Sequence, residues 1–310
     1  MTTMIELWRG CVNAWECDEL GHFNVRFYLA RASEALANLA EAAGLNPIQR
    51  ADALATLIPQ TLHIRFLAEA RPGAPLYIEG GFVGHDRASA DVVLVMRHSG
   101  TGKPAASFAI KLAHAAPDTA QAFAWPDRFA KAARALQVET PDFAAPRGLT
   151  TRPGSRPVSL SAADALALTP IGRGRFGPHE MDAFGWMRTE FLLGRVSDSV
   201  TNFAAAFPEE WAMHAGEPSG NIGSALLECC IHVHRWPRAG DGYAIRSGLK
   251  SADTKVRNIV HWVLEPATGK PWWTMEGVAA PMDLDQRKLA EIDAATQAKV
   301  EAAVVPGIEA

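Results

Sequence analysis

Residues 16–34 read E-C-D-E-L-G-H-F-N-V-R-F-Y-L-A-R-A-S-E, and residues 180–198 read E-M-D-A-F-G-W-M-R-T-E-F-L-L-G-R-V-S-D. Glu16, Asp18, Gly21, Phe27, Leu29, Arg31 and Ser33 recur in order as Glu180, Asp182, Gly185, Phe191, Leu193, Arg195 and Ser197, at an offset of 164 (Asp18 to Asp182). Further along, T-G-K-P at 101–104 returns at 268–271, an offset of 167 (Thr101 to Thr268). Arg71, Gly73, Ile78 and Asp86 keep that second offset with Arg238, Gly240, Ile245 and Asp253. An ordered series of matches along a whole unit marks a duplication. A three-residue insertion in the second copy explains the change of offset.

Outward from the quoted loop, each copy reads alike. A strand-like stretch precedes it, Ile5 to Val12 in the first copy and Ile171 to Phe176 in the second. A helix of about 20 residues is predicted to follow. Leu29, Ala32, Leu36, Leu39 and Ala43 hold helical spacing, with Gly44 as stop; Leu192, Val196, Val200, Phe203 and Phe207 repeat the pattern. Four strand-like segments come next: 60–70, 75–85, 88–99 and 104–115, then 226–236, 243–252, 255–265 and 271–280. Breaks at Arg71-Pro72-Gly73, Asp86-Arg87 and Thr101-Gly102 read as hairpin turns. One strand, one long helix and a four-strand meander is no parallel α/β pattern. It predicts an α+β fold, an antiparallel sheet wrapping one buried helix, built twice.

Amphipathic tails follow each unit at 124–137 and 285–304. Pro141, Pro146, Pro153 and Pro157 with Gly148 and Gly154 mark an extended linker, and Ser159 or Ser161 is placed to cap a short helix near Ala162. The expected domains are 1–140, an N-terminal unit with its trailing helix; 141–165, the linker; and 166–310, a C-terminal unit with its trailing helix.

Bulk properties agree. A chain of 310 residues suits two domains, and 48% apolar residues suffice for real cores. A net charge of −4 gives no global basic field for nucleic acid or anionic membrane, although a local Arg or Lys patch would still serve an anionic ligand. No apolar run approaches the roughly 18 residues of a membrane span. The N-terminus carries Glu6 and Arg9 early, unlike a signal peptide. Cys11, Cys17, Cys229 and Cys230 form no C-x-x-C pair, so a reduced, cytoplasmic protein without a zinc cluster is expected. His232 and His234 alternate on one strand and share a face. With no third ligand at convincing spacing they read as strand histidines rather than a metal pair. Trp272 and Trp273 point to opposite faces, one of them into the core.

The segment 17–28, C-D-E-L-G-H-F-N-V-R-F-Y, resembles the signature of the 4-hydroxybenzoyl-CoA thioesterase family of hotdog-fold proteins. That signature is an Asp, two or three residues, Gly-His, an apolar residue, an Asn, often a second Asn, and a Tyr three residues later. Asp18, Gly21, His22, Asn24 and Tyr28 match; Val25 replaces the second Asn. With the strand order, the resemblance covers most of the chain. It implies two tandem hotdog units, each an antiparallel sheet around a long central helix, paired as an intrachain pseudo-dimer that is free to associate into homo-oligomers. It also implies hydrolysis of acyl-CoA or acyl-carrier-protein thioesters at sites between paired units, without metal or organic cofactor, CoA being part of the substrate.

That chemistry needs a group to attack the thioester carbonyl or to activate water, and a carboxylate does either. Asp18 is the candidate. It also needs donors where the oxyanion develops, and a helix starting after Gly21 presents free N–H groups there, the one near Val25 in particular. A backbone donor tolerates the Asn-to-Val departure. His22 is expected to orient the loop, with proton transfer as the alternative; Asn24 reads equally as cap or ligand contact; Tyr28 reads as core. Glu228 aligns with Thr61 at the offset of 167, and either is placed to line a cleft. In the second loop Trp186 stands where His22 does and Arg188 where Asn24 does. Trp186 fills space a substrate would need, so the second site is expected to be degenerate. Arg188 then either pairs with Asp182 or reaches a CoA phosphate.

Two rivals remain. The hydratase branch of the fold carries Asp, four residues, then His, with an Asn-Pro between; the carrier-protein dehydratases carry His-Phe-Pro-Gly. This chain has three residues between Asp18 and His22, and His22-Phe23-Asn24-Val25. A non-catalytic acyl-CoA-binding module would not need an intact Asp18. No G-x-S-x-G elbow occurs, and the T-G-K turns are too short for a phosphate-binding loop.

Overall fold

Leu7 alone is deeply buried in β1 (Ile5–Cys11), whose alternation is that of a strand with one wet face. The alanine-rich stretch after the quoted loop forms α1 (Val25–Ala42). Its buried stripe is Tyr28, Leu29, Ala32, Ala35, Leu36, Leu39 and Ala40, while Glu34, Asn38 and Glu41 face solvent. The small alanines let α1 lie close against β1 and the later strand β3. Each buried leucine contributes roughly 1.5–3 kcal/mol. Gly44 ends the helix at φ +74°, with the Leu45 N–H reaching the Ala40 carbonyl at 3.0 Å. Then come β2 (Thr56–Phe66), β3 (Pro75–His85), β4 (Ser89–His98), β5 (Pro104–Ala115) and α2 (Asp127–Ala135). The five strands form an antiparallel sheet in the order β1-β3-β4-β5-β2.

The computed structural model describes residues 3–18, 20–45, 47–215 and 221–310. It divides into two compact units, Met1–Ala145 with Gly177–Gly194, and Pro146–Phe176 with Arg195–Ala310. The second quoted loop thus belongs to the first unit. In the second unit Ser159 caps α3 (Leu160–Ala165) through the Ala162 N–H, one of the two serines the sequence offered for that role. The strands are β6 (Thr169–Arg175), β7 (Ile222–Val233), β8 (Gly242–Ala252), β9 (Arg257–Leu264), β10 (Pro271–Asp283) and a short β11 (Lys288–Leu289). They are antiparallel in the order β6-β8-β9-β10-β7, with β11 on β10. Ala163 and Leu168 pack with Ile308 on Val260, Trp262 and Leu264.

The duplication extends to irregularities. Strand register slips at Leu7 and Ile171, at Gln60 and Leu227, and at Val83 and Lys250, each pair at its repeat offset. The Asn38 side chain donates to the Leu7 carbonyl at 2.6 Å, and the Asn202 side chain donates to the Ile171 carbonyl at 3.0 Å. Bulges re-aim side chains, so their recurrence carries one shape into both copies.

The long second helix is corrected. Residues 191–214 form α4 (Phe191–Ser197), a 3-10 turn (Val200–Asn202) and α5 (Pro208–His214). Ser197, Asp198, Ser199, Thr201 and Asn202 compete for backbone hydrogen bonds, and Pro208 can begin a helix but not continue one. The apolar spacing still marks burial: Leu192, Val196, Phe203 and Phe207 are buried. Strands β2 and β7 also start about four residues earlier than read, at Thr56 and Ile222; Pro59 is tolerated inside β2 beside its bulge.

Arg257 of β9 is almost fully buried and holds the broken region in place. Its Nη1 donates to the Ala206 carbonyl and to Glu209 Oε1 (2.7 Å), and its guanidinium lies 4.7 Å from the Phe207 ring centroid. Removing one member of a buried pair strands the other charge. Arg257→Met should therefore cost about 3–5 kcal/mol in urea unfolding, and adding Glu209→Leu should recover much of it. Equal stability of Arg257→Met and the native chain would show that the pair anchors nothing.

Candidate active site

Glu16 is buried at the end of a 3-10 turn (Ala14–Glu16) and ion-pairs with Arg31 of α1, while its Oε2 accepts the Asn13 N–H at 2.9 Å. Its carbonyl accepts the Asn24 N–H at 2.9 Å, which closes the loop between them. Inside that loop one oxygen of Asp18, Oδ1, accepts the N–H groups of Leu20 (3.0 Å) and His22 (2.9 Å). The Asp18 N–H donates to the His22 carbonyl at 2.9 Å, and Gly21 turns the chain at φ +72°. Asn24 is the N-cap of α1, its Oδ1 accepting the Arg26 N–H at 3.0 Å. Among the described residues none accepts a hydrogen bond from the Val25 N–H, the first of the helix. Asp18 is half-buried. A carboxylate fixed by two backbone donors beside a helix N-terminus is oriented for chemistry and braces the loop as well.

The strand β2 continues into a segment stitched to this loop. The Ala70 carbonyl accepts the Phe23 N–H at 2.9 Å, and the Ala70 backbone also donates a hydrogen bond to the oxygen of the buried Tyr28, whose ionisation burial pushes far upward. Beside it, Glu69 Oε1 lies 3.4 Å from His22 Nε2, and Glu69 Oε2 lies 3.5 Å from Arg71. Glu69 was not singled out from the sequence, because it belongs to no motif there and only the fold carries it to His22.

The second loop repeats the carboxylate brace and the bonds that close it. Asp182 Oδ1 accepts the N–H groups of Phe184 (2.8 Å) and Trp186 (2.9 Å), the Arg188 N–H reaches the Glu180 carbonyl at 2.8 Å, and Gly185 sits at φ +80°. The environment differs. Asp182 is exposed. The Trp186 ring N–H donates to the Pro117 carbonyl at 2.7 Å. Arg188 does not pair with Asp182: it lies 3.2 Å from Glu190 and donates to the His179 carbonyl at 3.0 Å. The starts of the two helices meet where the Arg26 guanidinium covers the Phe191 ring at 4.0 Å and its stem packs on Gly194.

Other sequence candidates lie elsewhere. Thr61 sits at the β2 bulge, opposite Lys111. Glu228, read as a cleft residue, is buried in the second unit, where its two oxygens take the N–H groups of Arg147 (3.0 Å) and Gly148 (2.9 Å) and fasten the linker. Nearby, a cavity of about 390 Å³ is lined by Cys230, His232, Lys250 and Glu276 among others. Burial and the acidic neighbours push the Cys230 thiol up to about 12, opposite to an activated thiolate. Trp272 and Trp273 are both buried, Trp272 with its ring N–H on the Gly242 carbonyl.

The model of the thioesterase-like superfamily matches residues 12–133 and again 176–300, once on each copy. The chain belongs to that superfamily and is a thioester hydrolase built as a two-domain repeat of the hotdog type. Similar solved structures include an acyl-ACP thioesterase from Bacteroides thetaiotaomicron VPI-5482 (9% identity, TM-score 0.65, covering 89% of this chain and 97% of the other). The 12:0-ACP thioesterase from Umbellularia californica is as close (9% identity, TM-score 0.64, 90% and 94% covered). A Lactobacillus plantarum protein assigned as an oleoyl thioesterase aligns at 12% identity and TM-score 0.68, with 93% and 98% covered. At such identity these likenesses bear on the fold alone. No curated protein matches the chain in sequence. Among the described residues no helix is long and apolar enough to cross a membrane.

A Cβ at Gly21 would meet nothing within 4 Å, so only its left-handed backbone resists substitution. Gly21→Ala should cost about 1–2 kcal/mol and Gly21→Asn less, since Asn tolerates this region. Thermal unfolding of the two variants compares them; equal costs would place the constraint elsewhere.

Proposed function

We propose that the loop at 18–25 hydrolyses acyl-CoA or acyl-carrier-protein thioesters, with Asp18 as nucleophile or general base. Water adds, in one step or through an acyl-Asp18 anhydride, and the thiol leaves with a proton, giving a carboxylic acid and free CoA or carrier thiol. The N–H of Val25 at the start of α1 meets the oxyanion, where a preorganised donor stabilises developing charge without reorganising. One observation carries the reading: a half-buried carboxylate, held by the Leu20 and His22 N–H groups, stands beside a helix start whose Val25 N–H has no acceptor among the described residues. The placement within the 4-hydroxybenzoyl-CoA thioesterase branch, and the pairing of the two repeats as a pseudo-dimer, belong to the same proposal. Two of the similar structures act on acyl-ACP by name, so carrier-protein thioesters join acyl-CoAs as substrates to test.

The second loop serves structure in this reading. Its Trp186 is tied to Pro117, its Arg188 is engaged by Glu190 and His179, and its Asp182 stands in solvent. Asp18→Asn should lower turnover by at least on the order of 10²–10⁴, with folding intact because the change is nearly isosteric. Asp182→Asn should stay within a few-fold of native. Both variants are assayed side by side on a panel of acyl-CoAs and acyl carrier proteins by thiol release, with active sites titrated by a slow substrate analogue. Equal losses, or two equivalents bound per chain, would overturn the asymmetry; native turnover in Asp18→Asn would overturn the mechanism.

A further inference from the structure

We infer that Glu69 is a positioning residue for the reaction, holding the His22 ring with its proton on Nε2 and so making Nδ1 the basic nitrogen. This rests on the reading of the 18–25 loop as the active site. Glu69 reaches His22 through a rigid frame. Ala70 next to it is held at both ends, its carbonyl accepting the Phe23 N–H and its backbone donating to the Tyr28 oxygen. The turn that follows is tied back by the Gly73 N–H on the Val12 carbonyl at 2.8 Å, with Gly73 at φ +84°. The carboxylate then divides its oxygens, Oε1 toward His22 Nε2 and Oε2 toward Arg71. A carboxylate beside one ring nitrogen selects the tautomer that donates to it, and thereby sets which nitrogen can take a proton. At 3.4 Å the contact is longer than a strong hydrogen bond, as such contacts often are before substrate seats the ring.

The duplication supplies an internal control. At the repeat offsets His22 falls on Trp186, Glu69 on Trp236 and Tyr28 on Leu192. The second copy loses both ends of the contact and the hydroxyl that frames it. It keeps the turn itself: Arg238 and Gly240 remain, Gly240 sits at φ +90°, and its N–H donates to the Phe176 carbonyl at 2.8 Å. The turn therefore folds without the His–Glu pair. The pair goes with the loop that keeps the motif and is lost with the loop that does not, which is the pattern expected of a group serving the reaction.

The test combines kinetics with 15N NMR of histidine-labelled protein, the His22 ring signals being assigned by their loss in His22→Gln. The neutral form of the native ring should show the Nε2–H tautomer. Glu69→Ala should lower kcat on the order of 10-fold with KM nearly unchanged, and should mix the two tautomers. Glu69→Gln keeps an acceptor and should restore the tautomer and part of kcat. A native ring protonated on Nδ1 would overturn the inference without recourse to any variant. So would native kcat in Glu69→Ala while Asp18→Asn is inactive. If instead Asp18→Asn is fully active, the active-site reading fails, and the tautomer still reports on the His22–Glu69 contact by itself.

Discussion

Two backbone N–H groups converging on a single carboxylate oxygen set the shape of the quoted loop in both copies. Asp18 Oδ1 draws in Leu20 and His22; Asp182 Oδ1 draws in Phe184 and Trp186. The loop can close this tightly only because Gly21 and Gly185 take a left-handed turn between donor and acceptor. Everything beyond inherits that closure: where Asn24 caps α1, where the first helical N–H points, and which way the His22 ring leaves the chain. Here the bracing bonds go to Oδ1, and that is what fixes the direction of Oδ2.

The two copies show what the fold needs. Both keep the Asp brace, the left-handed glycine, the glutamate carbonyl that closes the loop, the three bulges and the asparagine that holds the first strand's bulge. His22, Asn24, Tyr28 and Glu69 are among the positions at which the copies differ, becoming Trp186, Arg188, Leu192 and Trp236. Indole and guanidinium groups in the second loop are engaged by Pro117, His179 and Glu190, so the large replacements are packed rather than merely tolerated. In the second copy the long helix is also broken, and Arg257 supplies by ionic contact what continuous packing supplies along α1.

Much of this was legible in residue order. The repeat located itself through Asp18, Gly21 and their partners, and the β4–β5 hairpin through Gly102, because left-handed turns leave few residue choices. The break at Gly73, read as a hairpin, is a turn between β2 and β3, which do not pair. The spacing of Leu192, Val196, Phe203 and Phe207 reported burial correctly but not helix continuity. Apolar periodicity records which side of a segment faces the core, and Pro208 with the Ser-Asp-Ser run decides whether the backbone stays wound. Glu228 shows the same limit: alignment with Thr61 fixed its place on a strand, but only the folded chain shows two linker amides bonded to its oxygens. Glu69 escaped notice because its partner is brought to it by a strand and a turn rather than by local spacing.

The slipped registers at Leu7 and Ile171 bear on how the molecule keeps to itself. β1 and β6 stand at the ends of their strand orders, each with one strand-bearing neighbour. A flat outer strand invites another chain to add on. These two are kinked by the extra residue, carry Glu6 and Arg9 or Arg173 and Arg175, and in β6 lose a donor at Pro170. The same irregularity that aims side chains inward therefore leaves these margins poor templates for aggregation.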